Sequence, residues 1–275
     1  MILFALLLGG ALTTLGPAGE RTLEVFRTLN DAVMQLVHLV MWIAPLGVMA
    51  LLADALARGG VQALRLLAAY SLVVVAGLLI HGAVVLPTVL MLLGRRHPWH
   101  FAAAVRPALA VALGTSSSAA TLPVSLEVVQ ERAGVDGRVA SFVLPLGATI
   151  NMDGTALYEA VAAVFIAQVY GIHLGPLEQV IVFLTATLAA IGAAAIPSAG
   201  TVTMAMVLTA VGLPLDGIGL ILAVDRLLDM LRTTVNVWGD LVGSAVIEKL
   251  APLPAAPSDS HTPGPPADLA RSEDS

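Results

Sequence analysis

DRLLDMLRTTVNVWGD, residues 225–240, sets polar groups into an apolar neighbourhood at a regular spacing. Asp225, Asp229, Arg232, Asn236 and Asp240 follow one another at intervals of four, three, four and four. With about 3.6 residues per helical turn, all five fall on one stripe. An Asp or Arg at the centre of a bilayer-spanning helix costs about 2.5–3.5 kcal/mol, whereas Leu, Ile, Val or Phe returns only about 0.3–0.6 kcal/mol. The stripe is therefore excluded from lipid and must face protein, water or a bound ion. Two readings follow. It is either a structural Asp/Arg zipper between helices or a binding site, and an ionisable stripe at that depth is by default functional.

Working outward, the whole chain shares the apolar setting. Of 275 residues 58% are hydrophobic and 12% charged, with a mean hydropathy of +0.92. These values predict an all-α polytopic membrane protein rather than a soluble domain. The formal net charge of -6 is spread over inter-helix segments and a C-terminal tail, with no basic patch suited to nucleic acid. The absence of cysteine excludes disulfides and thiolate metal sites.

Two segments, 32–56 and 66–93, are long enough to cross a bilayer. Residues 1–17 form a shorter, Gly-interrupted run; with no basic n-region and no small-residue cleavage site, it reads as the end of a helix rather than a signal peptide. Residues 101–114 and 119–129 are each too short to span and meet at the hydroxyl tract TSSS, residues 115–118. That pattern predicts a re-entrant hairpin over 99–131, the alternative being one long helix kinked at the serines. LPLGATINMDGTALYEA, residues 144–160, interrupts the next helix, and Gly147 and Gly154 are expected to free backbone carbonyls there. With Asn151 and Asp153 they suit a hard cation. A second short pair, 177–190 and 201–213, meets at IGAAAIPSAG, residues 191–200, and predicts a hairpin over 176–213. Paired short segments flanking broken helices point to a secondary transporter with an inverted repeat. Residues 251–275 are rich in Pro, Ser and Asp and read as a disordered tail.

In this topology Arg21, Arg27, Arg95, Arg96, Arg106, Arg132, Arg138, Lys249 and Arg271 share one face, against Arg58 and Arg65 on the other. The positive-inside rule makes the first face, and the tail, cytoplasmic. An intramembrane serine hydrolase using Ser116–Ser118 lacks a Gly-x-Ser-x-Gly elbow and a base, His81 reading as an ordinary mid-helix residue.

TSSSAATLP (115–123), NMDGTALYEA (151–160), IGAAAIPSAG (191–200) and DMLRTTVNVWGD (229–240) together resemble the dicarboxylate/amino acid:cation symporters, the family of the glutamate/aspartate transporters. The resemblance implies an elevator-type homotrimer in the plasma or bacterial inner membrane. Residues 1–60 would belong to the scaffold and 61–250 to the transport domain. It further implies that Asp229 holds a substrate ammonium and Arg232 its side-chain carboxylate, the planar guanidinium matching a carboxylate bidentately. Ser118, Thr155, Ile196, Gly200, Thr233 and Asn236 would complete the substrate contacts. One sodium site would use Asn151, Asn236, Asp240 and the Gly147 carbonyl. Another would use Thr149 with the backbone of Ala190, Ile191 and Ala193, and a third Asn151 with Asp153. Glu159 would carry a proton, a task that suits a buried carboxyl.

No organic cofactor and no enzymatic activity are implied. Ser116, Met230 and Ala195 depart from the family pattern, where two arginines and a glycine respectively are found in some or most members. The family also has further helices ahead of the segment resembled here, so the chain reads as N-terminally truncated. The second functional expectation is accordingly a non-transporting subunit that assembles with longer relatives.

Overall fold

The computed structural model describes residues 2–251; the predicted disordered tail lies, from residue 252 onward, outside the described residues. All described elements are helical: α1 Ile2–Thr14, α2 Pro17–Ile80, α3 Leu86–Leu92, α4 Pro98–Thr115, α5 Ser118–Glu131, α6 Gly137–Ile150, α7 Asp153–Val169, α8 Pro176–Ile191, α9 Ala199–Ala210 and α10 Gly217–Leu250. Proline opens α2, α4 and α8, where its fixed φ suits the first turn and its missing N–H leaves no bond unmade.

The chain becomes helical well before the apolar run that starts at residue 32. Pro17 provides the start, and Glu20, Arg21, Leu23 and Glu24 are good helix formers. Gly60, at φ 59 and ψ -161, then breaks α2 in conformational space that only glycine occupies comfortably. Leu51 and Leu52 pack with Leu67 and Ala223. In a straight helix, at about 1.5 Å per residue, Leu51 and Leu67 would stand about 24 Å apart, so the chain reverses at Gly60. The segments Pro17–Asp54, Gly59–Leu92 and Gly137–Val169 are long and apolar enough to cross a membrane.

The second of these spans contains a π-helical turn, His81–Val85, that the sequence reading took for regular helix. Pro87 accounts for it. Its ring clashes with the carbonyl four residues back in an α-helix, and a local π register relieves the clash. Pro87 then has no N–H to offer Gly82 five residues back, and the Gly82 carbonyl accepts instead from Trp238 Nε1 at 3.0 Å.

Two apolar cores flank α10. One joins α2, α7, α8 and α9 around Tyr158, Ile166, Met204 and Leu208. The other joins α3, α4, α5 and α6 around Leu90, Val105, Val128 and Leu144. Helix α10 contributes Ile221 and Leu228 to the first and Trp238 and Leu241 to the second. Its polar stripe is therefore buried in protein, as its insertion cost demands.

Candidate functional site

The site is built where three chain breaks meet α10. Between α4 and α5 the backbone turns in two residues, with Ser116 left-handed at φ 52 and Ser117 extended. Ser117 Oγ accepts from Ala120 N–H, capping α5, and donates to the Ala195 carbonyl at 2.8 Å. Ala119 N–H donates to that same carbonyl at 3.5 Å. The tips of the α4–α5 and α8–α9 hairpins therefore touch.

The break between α6 and α7 is held by α10. Gly154 N–H and Thr155 N–H donate to Asn236 Oδ1 at 2.8 and 3.3 Å, so Asn236 caps α7 from a neighbouring helix. Asn236 Nδ2 donates to Thr155 Oγ1 at 3.1 Å. A Cβ on Gly154 would lie 2.7 Å from the Arg232 carbonyl oxygen, which makes glycine necessary there.

Arg232 is the largest fully buried side chain among the described residues. Its Nη2 donates to Asp229 Oδ1 at 2.6 Å and its Nη1 to Asp225 Oδ1 at 3.2 Å, while its guanidinium carbon sits 4.1 Å over the Tyr158 ring. Asp229 Oδ2 accepts from Ser198 N–H at 2.9 Å and lies 3.8 Å from Arg226 Nη1. Two buried carboxylates thus share one buried guanidinium, and one of them also holds the tip of the α8–α9 hairpin.

Ser118, Thr155, Ile196, Gly200, Asp229, Arg232, Thr233 and Asn236, the eight residues expected around a substrate, line one cavity together with Ser116, Met152 and Ala195. Its volume is about 20 Å³, room for about one water.

The expected cation ligands are distributed differently. Asn151 Nδ2 donates to Asp240 Oδ1 at 2.9 Å, and Gly147 lies so close beneath Asp240 that a Cβ would be 2.6 Å from Oδ1. Gly147 does not free its carbonyl: that oxygen accepts from Asn151 N–H at 2.8 Å and closes the last turn of α6. What Gly147 and Gly154 provide is close approach. Thr149 points to the exposed face and bonds Pro145 at 3.3 Å, while Ala190 and Ala193 are buried at the end of α8, where Ala193 N–H donates to the Ala190 carbonyl. Ile191 is 37% exposed.

Asp153 Oδ2 pairs with His81 Nε2 at 2.7 Å. His81 is therefore not the ordinary mid-helix residue the sequence suggested. The π turn set by Pro87 aims it at the α6–α7 break. An ionisable residue inside an apolar span, six positions before a proline, was the signal available in the sequence. Gly239 was missed as well. A Cβ there would lie 2.8 Å from Asn151 Nδ2 and 2.9 Å from Asp153 Oδ2, so its absence lets the break reach α10.

Glu159 is wholly buried; one carboxyl oxygen accepts from Thr203 Oγ1, and the other, Oε2, has no hydrogen-bond partner among the described residues.

The model of the sodium:dicarboxylate symporter family matches residues 1–250. The chain is 48% identical over 258 residues to excitatory amino acid transporter 1 of Bos taurus and of Homo sapiens, covering 91% of this chain and 47% of each relative. It is also 48% identical over 253 residues to excitatory amino acid transporter 2 of Mus musculus, covering 91% of this chain and 44% of that one. The chain spans about half the length of the curated relatives it matches. With its apolar spans, buried ionic stripe and paired hairpins, this multi-pass membrane chain belongs to the sodium:dicarboxylate symporter family.

Proposed function

We propose that this chain moves an acidic amino acid, glutamate or aspartate, across the membrane in symport with sodium, with Glu159 carrying a proton. The observation that carries the reading is the Asp229–Arg232 pair at the wall of a cavity lined by both hairpin tips, with Asp225 bonded to the same guanidinium behind it. An acidic amino acid brings one cation and two anions. Its ammonium takes Asp229 and its side-chain carboxylate takes Arg232, so one buried ion pair is exchanged for two, while its α-carboxylate falls to the hydroxyl and amide donors of Ser118, Thr155, Thr233 and Asn236 that line the same cavity. A neutral amino acid would break the Asp229–Arg232 bond and leave the guanidinium short of a partner, which selects against it.

A cavity of about 20 Å³ cannot hold such a substrate. The Ser198–Asp229 and Ser117–Ala195 bonds must therefore open for entry, and the α8–α9 tip is the mobile gate in this reading. Asn151, Asn236 and Asp240 gather hard oxygen atoms beside the substrate and suit sodium; Asp153, with His81 on its other side, serves a second cation. Thr149 with the backbone of Ala190, Ile191 and Ala193 would serve a further cation. We read the α4–α5 and α8–α9 hairpins as re-entrant and the chain as an elevator-type homotrimer. The exposed Leu39, Trp42 and Leu46 on α2 are suited to lipid or a second subunit.

The test is sodium-driven uptake of labelled aspartate by proteoliposomes carrying the chain. The expected result is uptake that requires a sodium gradient and falls at least a hundredfold in Arg232→Ala, as loss of about 3 kcal/mol of a buried charge pair implies. Uptake without sodium, or an undiminished mutant, overturns it.

A further inference from the structure

Away from the site, a groove of about 290 Å³ runs along the surface between α2, the π turn, α4 and α10, lined by Leu79, Ala83, Pro87, Ala102, Leu231 and Trp238. Its wall is almost wholly apolar. At one end it shares Pro87, Pro98 and Trp99 with a second depression that contains Arg95, Arg96 and His97. The two together form an apolar channel with a basic mouth.

The basic residues at the mouth have unequal freedom. Arg96 is committed: it bonds the carbonyls of Ala133 and Gly134 and pairs with Glu248 at 2.5 Å. Arg95 is exposed, stands in a left-handed turn at φ 52, and has no hydrogen-bond or ion-pair partner among the described residues. His97 stacks near His100 at 4.5 Å between ring centres, and both share a neighbouring depression with Arg132, itself exposed. Trp99, 71% exposed, stands between groove and mouth, the position aromatic side chains take at a membrane–water boundary. Positive charge also assigns this end to the cytoplasmic leaflet, where anionic lipid is concentrated.

We propose that this cleft binds one anionic phospholipid, its phosphate at Arg95 and His97 and an acyl chain along the groove toward Trp238. The length of apolar wall leading directly from an uncommitted cation fits a molecule with a charged head and a long tail. Because Trp238 belongs to α10 and bonds the Gly82 carbonyl of the π turn, the bound chain lies against the joint that also aims His81 at Asp153.

Native mass spectrometry of the delipidated full chain in detergent, with dioleoyl phosphatidylglycerol or dioleoyl phosphatidylcholine added, tests this. The wild type is expected to retain one phosphatidylglycerol in preference to phosphatidylcholine. Arg95→Asn, which keeps a residue tolerant of the left-handed turn, is expected to lower phosphatidylglycerol affinity about fivefold. Ala83→Trp, filling the exposed groove, is expected to lower retention of both lipids. Thermal unfolding of each variant establishes that it is folded. Equal retention of the two lipids, no change in either folded variant, or no retained lipid because another protein segment covers the groove would each overturn the proposal.

Discussion

Asp229 accepts from two nitrogens of Arg232 and from the Ser198 backbone, so a single carboxylate ties the polar stripe to the tip of the α8–α9 hairpin. Residues such as this act through atoms, and glycine positions show how narrow the tolerances are. At Gly147 a methyl group would sit 2.6 Å from Asp240 Oδ1. Gly147→Ala must push Asp240 away from Asn151 or bend α6, at a cost of about 1–3 kcal/mol. The expected outcome is a lower unfolding temperature together with a roughly tenfold higher sodium concentration for half-maximal aspartate protection against heat. A variant with unchanged sodium dependence would remove Asp240 from the cation set. The stripe itself was legible from spacing and insertion cost, whereas the part expected of Arg232 came only with the family resemblance. The role of His81 was not legible, because its pairing with Asp153 depends on a π turn that no periodicity reveals.

At the scale of elements, breaks matter more than helices. Ser116, Gly60 and Ser198 all have positive φ, and each sits where the chain must reverse or open. Gly60 is the most demanding, since its φ of 59 and ψ of -161 admit little but glycine. Gly60→Ala is expected to cost about 1–3 kcal/mol, visible as a drop of several degrees in the unfolding midpoint with the aspartate affinity of the folded fraction retained. If the midpoint stays where it is, the reversal lies elsewhere. Both hairpins were legible because each half was too short to span and each junction was polar or Gly/Pro-rich. The start of α2 was not, since a charged stretch such as residues 20–31 carries no apolar signal although it is a good helix.

For the molecule as a whole, α10 is the member against which both cores and all three breaks are assembled. The direct contact between hairpin tips, Ser117 to Ala195, is what closes the cavity. The chain contains no cysteine, so Ser117→Cys with Ala195→Cys gives a pair of thiols on a clean background. A bifunctional thiol reagent is expected to abolish aspartate binding and uptake, while a monofunctional reagent of similar size leaves a substantial fraction. Uptake that survives confirmed cross-linking would mean that the gate opens at another joint.

The amino-acid sequence alone determined that this chain enters a membrane, that a polar stripe is buried there, and where the helices are interrupted. Those conclusions follow from transfer energies and chain length, which are local properties. Which atoms meet was decided by tertiary structure. Asn236 caps α7 rather than standing free, and Gly147 admits Asp240 rather than releasing a carbonyl. Each depends on the distance between helices far apart in the chain, and that distance is set by how side chains of both cores pack, which no single segment encodes.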